Sequence, residues 1–312
     1  MGLPLDPKLA VLYGKCVNAA YGMYKRDCSV LQPEPNPGDI PDPYELVAWV
    51  NMSDFIFDNK LPQFYGYIAR NKNDRHDFIL AIRGTEGLVE WIDDVFIHLV
   101  PFAQVPHAGR VAQGFDQIYS SLKVIRRPHT ADGQMKAAAP GPAAAIAAPQ
   151  PLQVMTGSFL EQIEQLADSL EPPAPAGAMA LAPEAKPRRS FVVAGHSLGA
   201  ALTTLFVIEN KEKGMFDITT SCTFASPRVG NMQFAATFNL LPVNSWRIFN
   251  DQDVVPRVPL SIPVLADYTP VNDGFKVSSN GVTCFNPVCW HSMMTYLHLL
   301  DPTIPLDNSC RK

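Results

Sequence analysis

SFVVAGHSLGAALTTLFVIEN, residues 190–210, is the stretch of this chain that decides its fold. Residues 191–194 form a short apolar run, which is typical of a strand buried on both faces. Residues 198–210 have the length and apolar spacing of a helix. Between them, GHSLG at 195–199 is a G-x-S-x-G motif placed where a strand passes directly into a helix. This context predicts a nucleophile elbow that lifts the Ser197 hydroxyl above the sheet, with an ordinary turn and a capping serine as the alternative.

The elements around this stretch alternate between strands and helices. An N-terminal helix is predicted to begin at Pro7, with Asp6 as its N-cap. Alternation of this kind implies an α/β protein with a central, mostly parallel sheet and helices on both faces. Residues 28–63 carry many prolines, and we expect irregular surface cover there. Further apolar runs predict four more strands, at residues 64–70, 77–83, 221–225 and 246–249.

Composition excludes several classes of protein. The chain has 312 residues, which we expect to form a single domain over residues 1–312 with a large apolar core. A net charge of −5 without a basic cluster argues against nucleic-acid binding. No apolar stretch is long enough to cross a bilayer. Lys15 and Asn18 interrupt the apolar region that a secretory signal needs, so we expect a cytoplasmic protein or one exported by another route.

Two segments rich in Ala and Pro interrupt the alternation, at about residues 131–157 and 171–189. Their composition is typical of flexible or polyproline II linkers. The amphipathic helix between them is predicted to begin with a capping box from Ser158 to Glu161. We expect this helix to pack on the domain while its flanks lie outside as solvated spacers, with a tether for a partner as the alternative.

The six cysteines stand at positions 16, 28, 222, 284, 289 and 310. An even number permits disulfides without requiring them. Cys284 and Cys289, the closest pair, do not form a C-x-x-C motif, and no second pair has the spacing of zinc ligands. We therefore expect free thiols in a reducing compartment and no metal site.

A serine nucleophile needs a base and an acid, which in α/β hydrolases follow it in the order Ser, Asp or Glu, His. Asp251 and Asp253 both follow the predicted strand at 246–249, and from their position alone both are candidates for the acid. His291 is the candidate base. His196 lies inside the elbow itself, where we expect a packing residue.

Six ordered motifs, spread over about residues 65–300, resemble those of the class 3, or fungal-type, lipases. They are RGT at 83–85, QGF at 113–115, the elbow at 192–200, TFASPRVGN at 223–231, NDQDVVP at 250–256 and HSMMTY at 291–296. The resemblance implies an α/β-hydrolase fold with Ser197 as nucleophile, Asp253 as acid and His291 as base, without a metal or organic cofactor. Ala200 and Ala225 stand where the family has glycines, and we expect the second to alter strand packing slightly.

The resemblance also implies an oxyanion hole and a lid. The elbow supplies the backbone N–H of Leu198, and the resemblance adds that of Thr85. Residues 86–94 resemble the family's lid helix, in which Leu88, Trp91 and Ile92 would form one apolar face. Closed, that face would cover the acyl pocket, and open, it would meet a lipid–water interface. A helix fixed on the core is the alternative.

These features predict a serine carboxylester hydrolase, a lipase or esterase that cleaves acylglycerol-type lipid esters through an acyl-enzyme. A phospholipase A1 or a feruloyl-type esterase on the same fold stays open, because fold does not decide substrate. A non-catalytic lipid-binding protein on the same scaffold is least favoured, since it would lack a triad residue and none is missing.

Overall fold

A computed structural model describes residues 4–53, 61–85, 98–128, 152–171, 188–260 and 267–312. The helices in these ranges are α1 (Pro7–Arg26), α2 (Gln113–Ser121), α3 (Phe159–Ser169), α4 (Leu198–Lys213), α5 (Met232–Asn239), α6 (Pro287–His291) and α7 (Met293–Leu300). The strands are β1 (Tyr44–Ser53), β2 (Pro62–Asn71), β3 (Asp74–Ile82), β4 (Leu99–Pro101), β5 (Arg110–Ala112), β6 (Lys123–Arg126), β7 (Gln153–Val154), β8 (Ser190–His196), β9 (Asp217–Phe224), β10 (Gly230–Asn231), β11 (Asn244–Asn250), β12 (Tyr268–Thr269) and β13 (Phe275–Val277).

In the described part of the chain, nine strands form the central sheet in the order β13-β11-β9-β8-β3-β2-β1-β6-β7. The run from β3 through β8, β9 and β11 to β13 is parallel. The other four strands extend the sheet by antiparallel pairing. Because β3, β8 and β11 are parallel, the turns that follow them lie at one edge of the sheet.

Helices cover both faces of this sheet, as predicted. On one face α1 and α7 close an apolar cluster that includes Tyr13, Trp246 and Tyr296. On the other face α2, α3 and α4 pack over a second cluster around Phe115, Phe159 and Phe206. The parallel half of the sheet is therefore buried on both sides, which explains the continuous apolar run at 191–194.

The predicted helix starts are confirmed. Asp6 caps α1 by accepting the backbone N–H groups of Lys8 and Leu9 at 2.9 and 3.2 Å. Ser158 and Glu161 form the reciprocal capping box of α3. None of the described helices is both long enough and apolar enough to span a membrane.

The expectation of irregular cover over residues 28–63 is wrong for Tyr44–Ser53, which forms β1 between β2 and β6. The last proline before this strand is Pro43, and the residues 44–50 that follow are nearly all buried. The prolines therefore indicate irregular structure only up to residue 43. The strand that follows forms because its residues are buried in the sheet.

The Ala- and Pro-rich segments lie mostly outside the described residues, which omit 129–151 and 172–187. Their described ends are not solvated spacers. Gln153–Val154 adds β7 to the sheet edge, and Met155 is buried. The Arg189 guanidinium is also buried and pairs with Asp168 at 2.7 Å. The ends are ordered because each attaches the chain to the sheet or to α3.

Candidate active site

Ser197 lies in the sharp turn between β8 and α4. Its backbone dihedrals are φ 56° and ψ −125°, a conformation that is costly for a residue with a side chain. The turn requires the flanking glycines, because a Cβ on Gly195 would lie 2.4 Å from the Gly199 oxygen. A Cβ on Gly199 would lie 2.3 Å from the Ile82 oxygen. The predicted strand–turn–helix geometry is thus present.

Asp253 and His291 form a buried pair. His291 Nδ1 lies 2.8 Å from Asp253 Oδ2, and the two residues are only 6% and 2% exposed. The Tyr296 hydroxyl donates to the same carboxylate oxygen at 2.8 Å, and the Val255 N–H donates to Oδ1 at 3.0 Å. Since a carboxylate only accepts, Nδ1 carries a proton, and in the neutral form of the ring Nε2 is an acceptor.

Tyr296 keeps its proton in this environment. Burial first, and the Asp253 carboxylate second, raise the pKa of the Tyr296 hydroxyl well above its usual value. The hydroxyl therefore acts as a permanent donor to Asp253, while it accepts the Asn250 N–H at 3.0 Å. Asp251, the other candidate for the acid, contacts Gln252 at 3.2 Å instead.

Three buried polar atoms of the site have no hydrogen-bond partner in the described part of the chain. They are Ser197 Oγ, His291 Nε2 and Thr85 Oγ1. The hydrogen bond between Ser197 and His291 is therefore not formed in this structure, although the pair of Asp253 and His291 is. Other buried polar atoms of the described residues are also unpaired, but these three belong to the turn after β3, the elbow and α6, which meet at the site.

The turn after β3 is held rigidly against the elbow. The buried Arg83 guanidinium donates to the Phe64 carbonyl at 2.8 and 3.0 Å and to the Gly84 carbonyl at 2.7 Å. It also lies 3.5 Å from the Tyr24 ring centroid. A Cβ on Gly84 would come within 2.7 Å of the Ser197 Cβ, so only glycine permits this approach. The turn thus brings Thr85 beside the elbow.

Leu198 is the first residue of α4. Its N–H belongs to the first turn of a helix, where backbone donors lack intrahelical acceptors. Thr85, in the turn after β3, and Leu198, beside Ser197, therefore lie on two adjacent segments.

His196 is not merely a packing residue, which corrects the expectation for it. Its Nε2 lies 2.8 Å from the His291 carbonyl, and its Nδ1 lies 2.8 Å from the Tyr21 hydroxyl. The same hydroxyl accepts the Gly84 N–H at 2.8 Å. Because a carbonyl only accepts, Nε2 carries the proton, and the hydrogen bonds run in one direction from Gly84 through Tyr21 and His196 to His291.

Burial lowers the pKa of His196 well below its usual value, and His291 lowers it further. The ring is therefore neutral at physiological pH, as the directed hydrogen bonds require. The role of Tyr21 could not be predicted from the sequence, because in α1 it resembles any other aromatic residue on the side of a helix that packs on the domain. The sequence places His196 in the G-x-S-x-G motif but does not indicate its hydrogen-bond partners, because these belong to α1 and α6, which are distant in the chain.

A cavity of about 810 Å³ opens beside these groups. Thr85, His196 and His291 line one side of it. Lys25 of α1 and Asp307 of the C-terminal segment also reach the cavity, so its lining carries both signs of charge. Ser197 is only 1% exposed. Ser197 itself does not contribute to the cavity lining, whereas its neighbours Thr85, His196 and His291 do.

Comparison with known proteins gives a family for this chain. The family described as lipase (class 3) matches residues 79–262, which include the turn at Thr85, the elbow and Asp253. The chain belongs to the class 3 lipase family. Lip2 lipase from Yarrowia lipolytica is 19% identical with a TM-score of 0.52, covering 89% of this chain and 82% of its own. The fold is accordingly the α/β-hydrolase fold.

Two curated relatives of this class 3 lipase differ in the substrates that their names state. Phospholipase A1-II 1 of Oryza sativa subsp. indica is 26% identical in an alignment of 280 positions that covers 83% of this chain and 59% of the relative. Secreted mono- and diacylglycerol lipase 1 of Fusarium solani is 36% identical over 116 residues, 37% of this chain and 31% of the relative. The chain thus spans less than two thirds of the rice relative.

The expectation that all six cysteines are free thiols is wrong for two of them. Cys289, in α6, and Cys310, near the chain end, form a disulfide. The two cysteines are 21 positions apart in the sequence, and such a spacing does not indicate that they pair. Among the described residues, no group of three or more His, Cys, Asp and Glu side chains is placed to hold a metal ion.

The predicted lid residues Leu88, Trp91 and Ile92 lie outside the described residues, which stop at Thr85 and resume at His98. The lid therefore stays a prediction from the sequence.

Proposed function

We propose that this class 3 lipase is a serine hydrolase of carboxylic lipid esters, with Ser197 as nucleophile, His291 as base and Asp253 as acid. The observation that carries the proposal is the buried pair of Asp253 and His291, whose free Nε2 accompanies an unpaired Ser197 hydroxyl in a strained turn. A structural role would pair these atoms, whereas a catalytic role leaves them open for substrate.

The acylation step follows from this arrangement. His291 Nε2 takes the Ser197 proton as Oγ attacks the ester carbonyl, and a tetrahedral oxyanion forms. Asp253 stabilises the imidazolium and fixes its orientation, with Tyr296 fixing Asp253 in turn. The backbone N–H groups of Leu198 and Thr85 stabilise the oxyanion, and the unpaired Thr85 hydroxyl is a third donor.

The acyl-enzyme forms when the alcohol leaves. His291 gives its proton to the alcohol oxygen, and the C–O bond of the ester breaks. Water then attacks the acyl-enzyme, with His291 again as base, and Ser197 recovers its proton. In this scheme both halves of the reaction use groups of the chain itself, and the second half consumes one water molecule.

The substrate class is proposed from the family and the relatives. Acylglycerols fit the family and the Fusarium relative, while the rice phospholipase A1 aligns over the larger share of this chain. Phosphatidylcholine is therefore the second candidate substrate beside diacylglycerol. Fatty-acid release from vesicles of phosphatidylcholine and from emulsions of di- and triacylglycerol separates the two, with analysis of the acyl position that is cleaved.

The triad is tested by single substitutions assayed on a soluble nitrophenyl ester. Ser197→Ala, His291→Ala and Asp253→Asn are each expected to lower kcat by about 10⁴-fold, because the three groups act as one unit. Asp251→Asn is the matched control and should keep kcat near that of the wild type. Full activity of Ser197→Ala, or equal losses for the two aspartate variants, would contradict the proposal.

A further inference from the structure

Three cysteines meet at the end of the chain beside the candidate active site. Cys289 and Cys310 are joined by the disulfide, and Cys284 is a free, partly exposed thiol. The Cys284 Sγ lies 3.8 Å from the Cys289 Sγ. A thiol this close to a disulfide sulfur needs to move less than the width of an atom to attack it.

The neighbourhood of Cys284 is preorganised. Its backbone N–H donates to the Cys310 carbonyl at 3.0 Å, and its Sγ lies 3.6 Å from the Ser309 carbonyl. The Cys289 Sγ lies 3.8 Å from the same carbonyl. The three cysteines are therefore held together by backbone contacts as well as by the existing disulfide.

The other thiols of the described chain lack this combination. Cys16 and Cys222 are fully buried, and burial raises the pKa of the Cys16 thiol to about 12 and that of Cys222 higher still. Both are thus kept protonated and unreactive. Cys28 is exposed, but it lies at the end of α1 rather than in this cluster.

The disulfide also occupies a functional position. Cys289 is two residues from His291 in the short helix α6, and Cys289 and Cys310 both line the cavity that Thr85 and His291 reach. Asp307 and Ser309 continue this lining. The disulfide therefore attaches the C-terminal wall of the cavity to the helix that carries His291.

We propose that Cys284, Cys289 and Cys310 form a thiol–disulfide exchange site, in which Cys284 displaces Cys310 from Cys289 and releases the C-terminal wall of the cavity. The Cys284 thiol gives its proton to water, and its sulfur attacks the Cys289 sulfur. The bond between Cys284 and Cys289 forms as the bond from Cys289 to Cys310 breaks. The electron pair leaves on the Cys310 sulfur, which takes up a proton. One thiol and one disulfide are present before and after, so no oxidant is needed.

The exchange changes which segments are tied together. The sequence separation of the linked cysteines falls from 21 positions for Cys289 and Cys310 to 5 for Cys284 and Cys289. The C-terminal segment then keeps only non-covalent attachments at this point, such as the bridge between Thr283 and Arg311. Its side of the cavity, beside His291, becomes free to open.

Disulfide mapping tests the exchange in the full chain. In a Cys28→Ser background, which removes the other exposed thiol, the folded protein is alkylated with iodoacetamide, acid-quenched, digested and analysed by mass spectrometry. Two isomers are expected, one alkylated at Cys284 and one alkylated at Cys310. Alkylation of Cys284 alone, at mildly alkaline pH and after long incubation with a trace of reduced glutathione, would overturn the proposal.

Two variants trap the isomers and test the release of the wall. Cys284→Ser can hold only the disulfide of Cys289 with Cys310, and Cys310→Ser should form the disulfide of Cys284 with Cys289. Amide hydrogen exchange over residues 301–312 is expected to be several-fold faster in Cys310→Ser than in Cys284→Ser. Two free thiols in air-oxidised Cys310→Ser, or equal exchange rates in the two variants, would overturn it. Neither measurement uses ester hydrolysis, so the outcome is independent of the proposed function.

Discussion

At the scale of single residues, the candidate site depends on chains of hydrogen bonds in which each donor and acceptor has a fixed role. Asp253 receives three donors, which satisfy and orient its carboxylate while it is buried. The Tyr21 hydroxyl links the turn at Gly84 with His196, and His196 supports the backbone of His291. The proposed base and the proposed oxyanion turn are thereby held in one frame by Tyr21 and His196, and the His196 ring also packs against the His291 ring with centroids 4.6 Å apart.

Tyr21→Phe tests this frame. Loss of the hydroxyl leaves the Gly84 N–H and His196 Nδ1 without their partner, and we expect kcat to fall up to about 100-fold through misplacement of the turn. KM should stay nearly unchanged, because the substitution removes one hydroxyl and leaves the other residues of the cavity lining in place. Steady-state kinetics on a soluble ester, with a phosphonate inhibitor to measure transition-state affinity, check this expectation.

Tyr13→Phe is the matched control, since Tyr13 lies on the same helix but packs on Trp246 with ring centroids 6.3 Å apart. Its kcat should resemble that of the wild type. A rise in KM without any change in kcat for Tyr21→Phe would show that the frame does not position catalytic groups.

The Ala225 position shows how a local substitution is accommodated. Ala225 has φ 51°, a left-handed conformation that glycine adopts without strain. The family resemblance predicts a slight effect on strand packing, and in the structure the alanine is buried directly after β9 with this left-handed backbone. The turn is retained because Ala225 N–H donates to the Ile248 carbonyl at 3.0 Å.

At the scale of elements, the chemistry is carried by turns, while the strands and helices hold the turns in place. The residues of the candidate site follow β3, β8 and β11, and α6 adds His291. Such an arrangement predicts that the element after Thr85 controls access to the cavity, and this is the segment in which the sequence places the lid.

Trp91→Ala tests the lid. Removal of the largest apolar side chain from the predicted lid face should lower hydrolysis of emulsified long-chain esters more than hydrolysis of dissolved short-chain esters, because only the former requires contact with a lipid surface. The ratio of the two rates, measured for the variant and the wild type, is the readout. Glu90→Ala, on the predicted polar face, is the control and should leave the ratio unchanged. Equal losses on both substrates for Trp91→Ala would favour a helix fixed on the core.

At the scale of the whole molecule, burial of His196 couples the fold to pH. Its pKa is lowered in the folded state, so below the ordinary histidine pKa the unfolded chain binds a proton that the folded chain does not. Stability should therefore fall as the pH drops below about 6.5, by up to about 1.4 kcal/mol per pH unit from this group.

Urea unfolding at about pH 7.5, 6 and 5 measures this dependence. His196→Gln removes the titrating ring and keeps a side-chain N–H for the His291 carbonyl, so its stability should fall less steeply over the same range. Because other groups titrate too, the difference between the two slopes is the relevant quantity. Parallel slopes would mean that His196 is not the group responsible.

The alternation of strands and helices, the elbow at Ser197 and the capped helices α1 and α3 could all be predicted from the sequence, because each depends on neighbours within a few residues. The family followed from six ordered motifs. Strand β1 was missed since the prolines before it dominated the local pattern. The disulfide was missed because two cysteines 21 residues apart carry no local signal of proximity.

The sequence alone determined which side chains are available for chemistry: a serine in a tight glycine-flanked turn, two aspartates after a strand and a histidine near the end. The six ordered motifs already indicated Asp253 rather than Asp251, and the tertiary structure shows its contact with His291. Only the tertiary structure decided that Tyr21 joins His196 to Gly84 and that Cys284 lies against a disulfide. These contacts join segments that are distant in the chain, and their geometry is set by the parallel strands that bring those segments to one edge of the sheet.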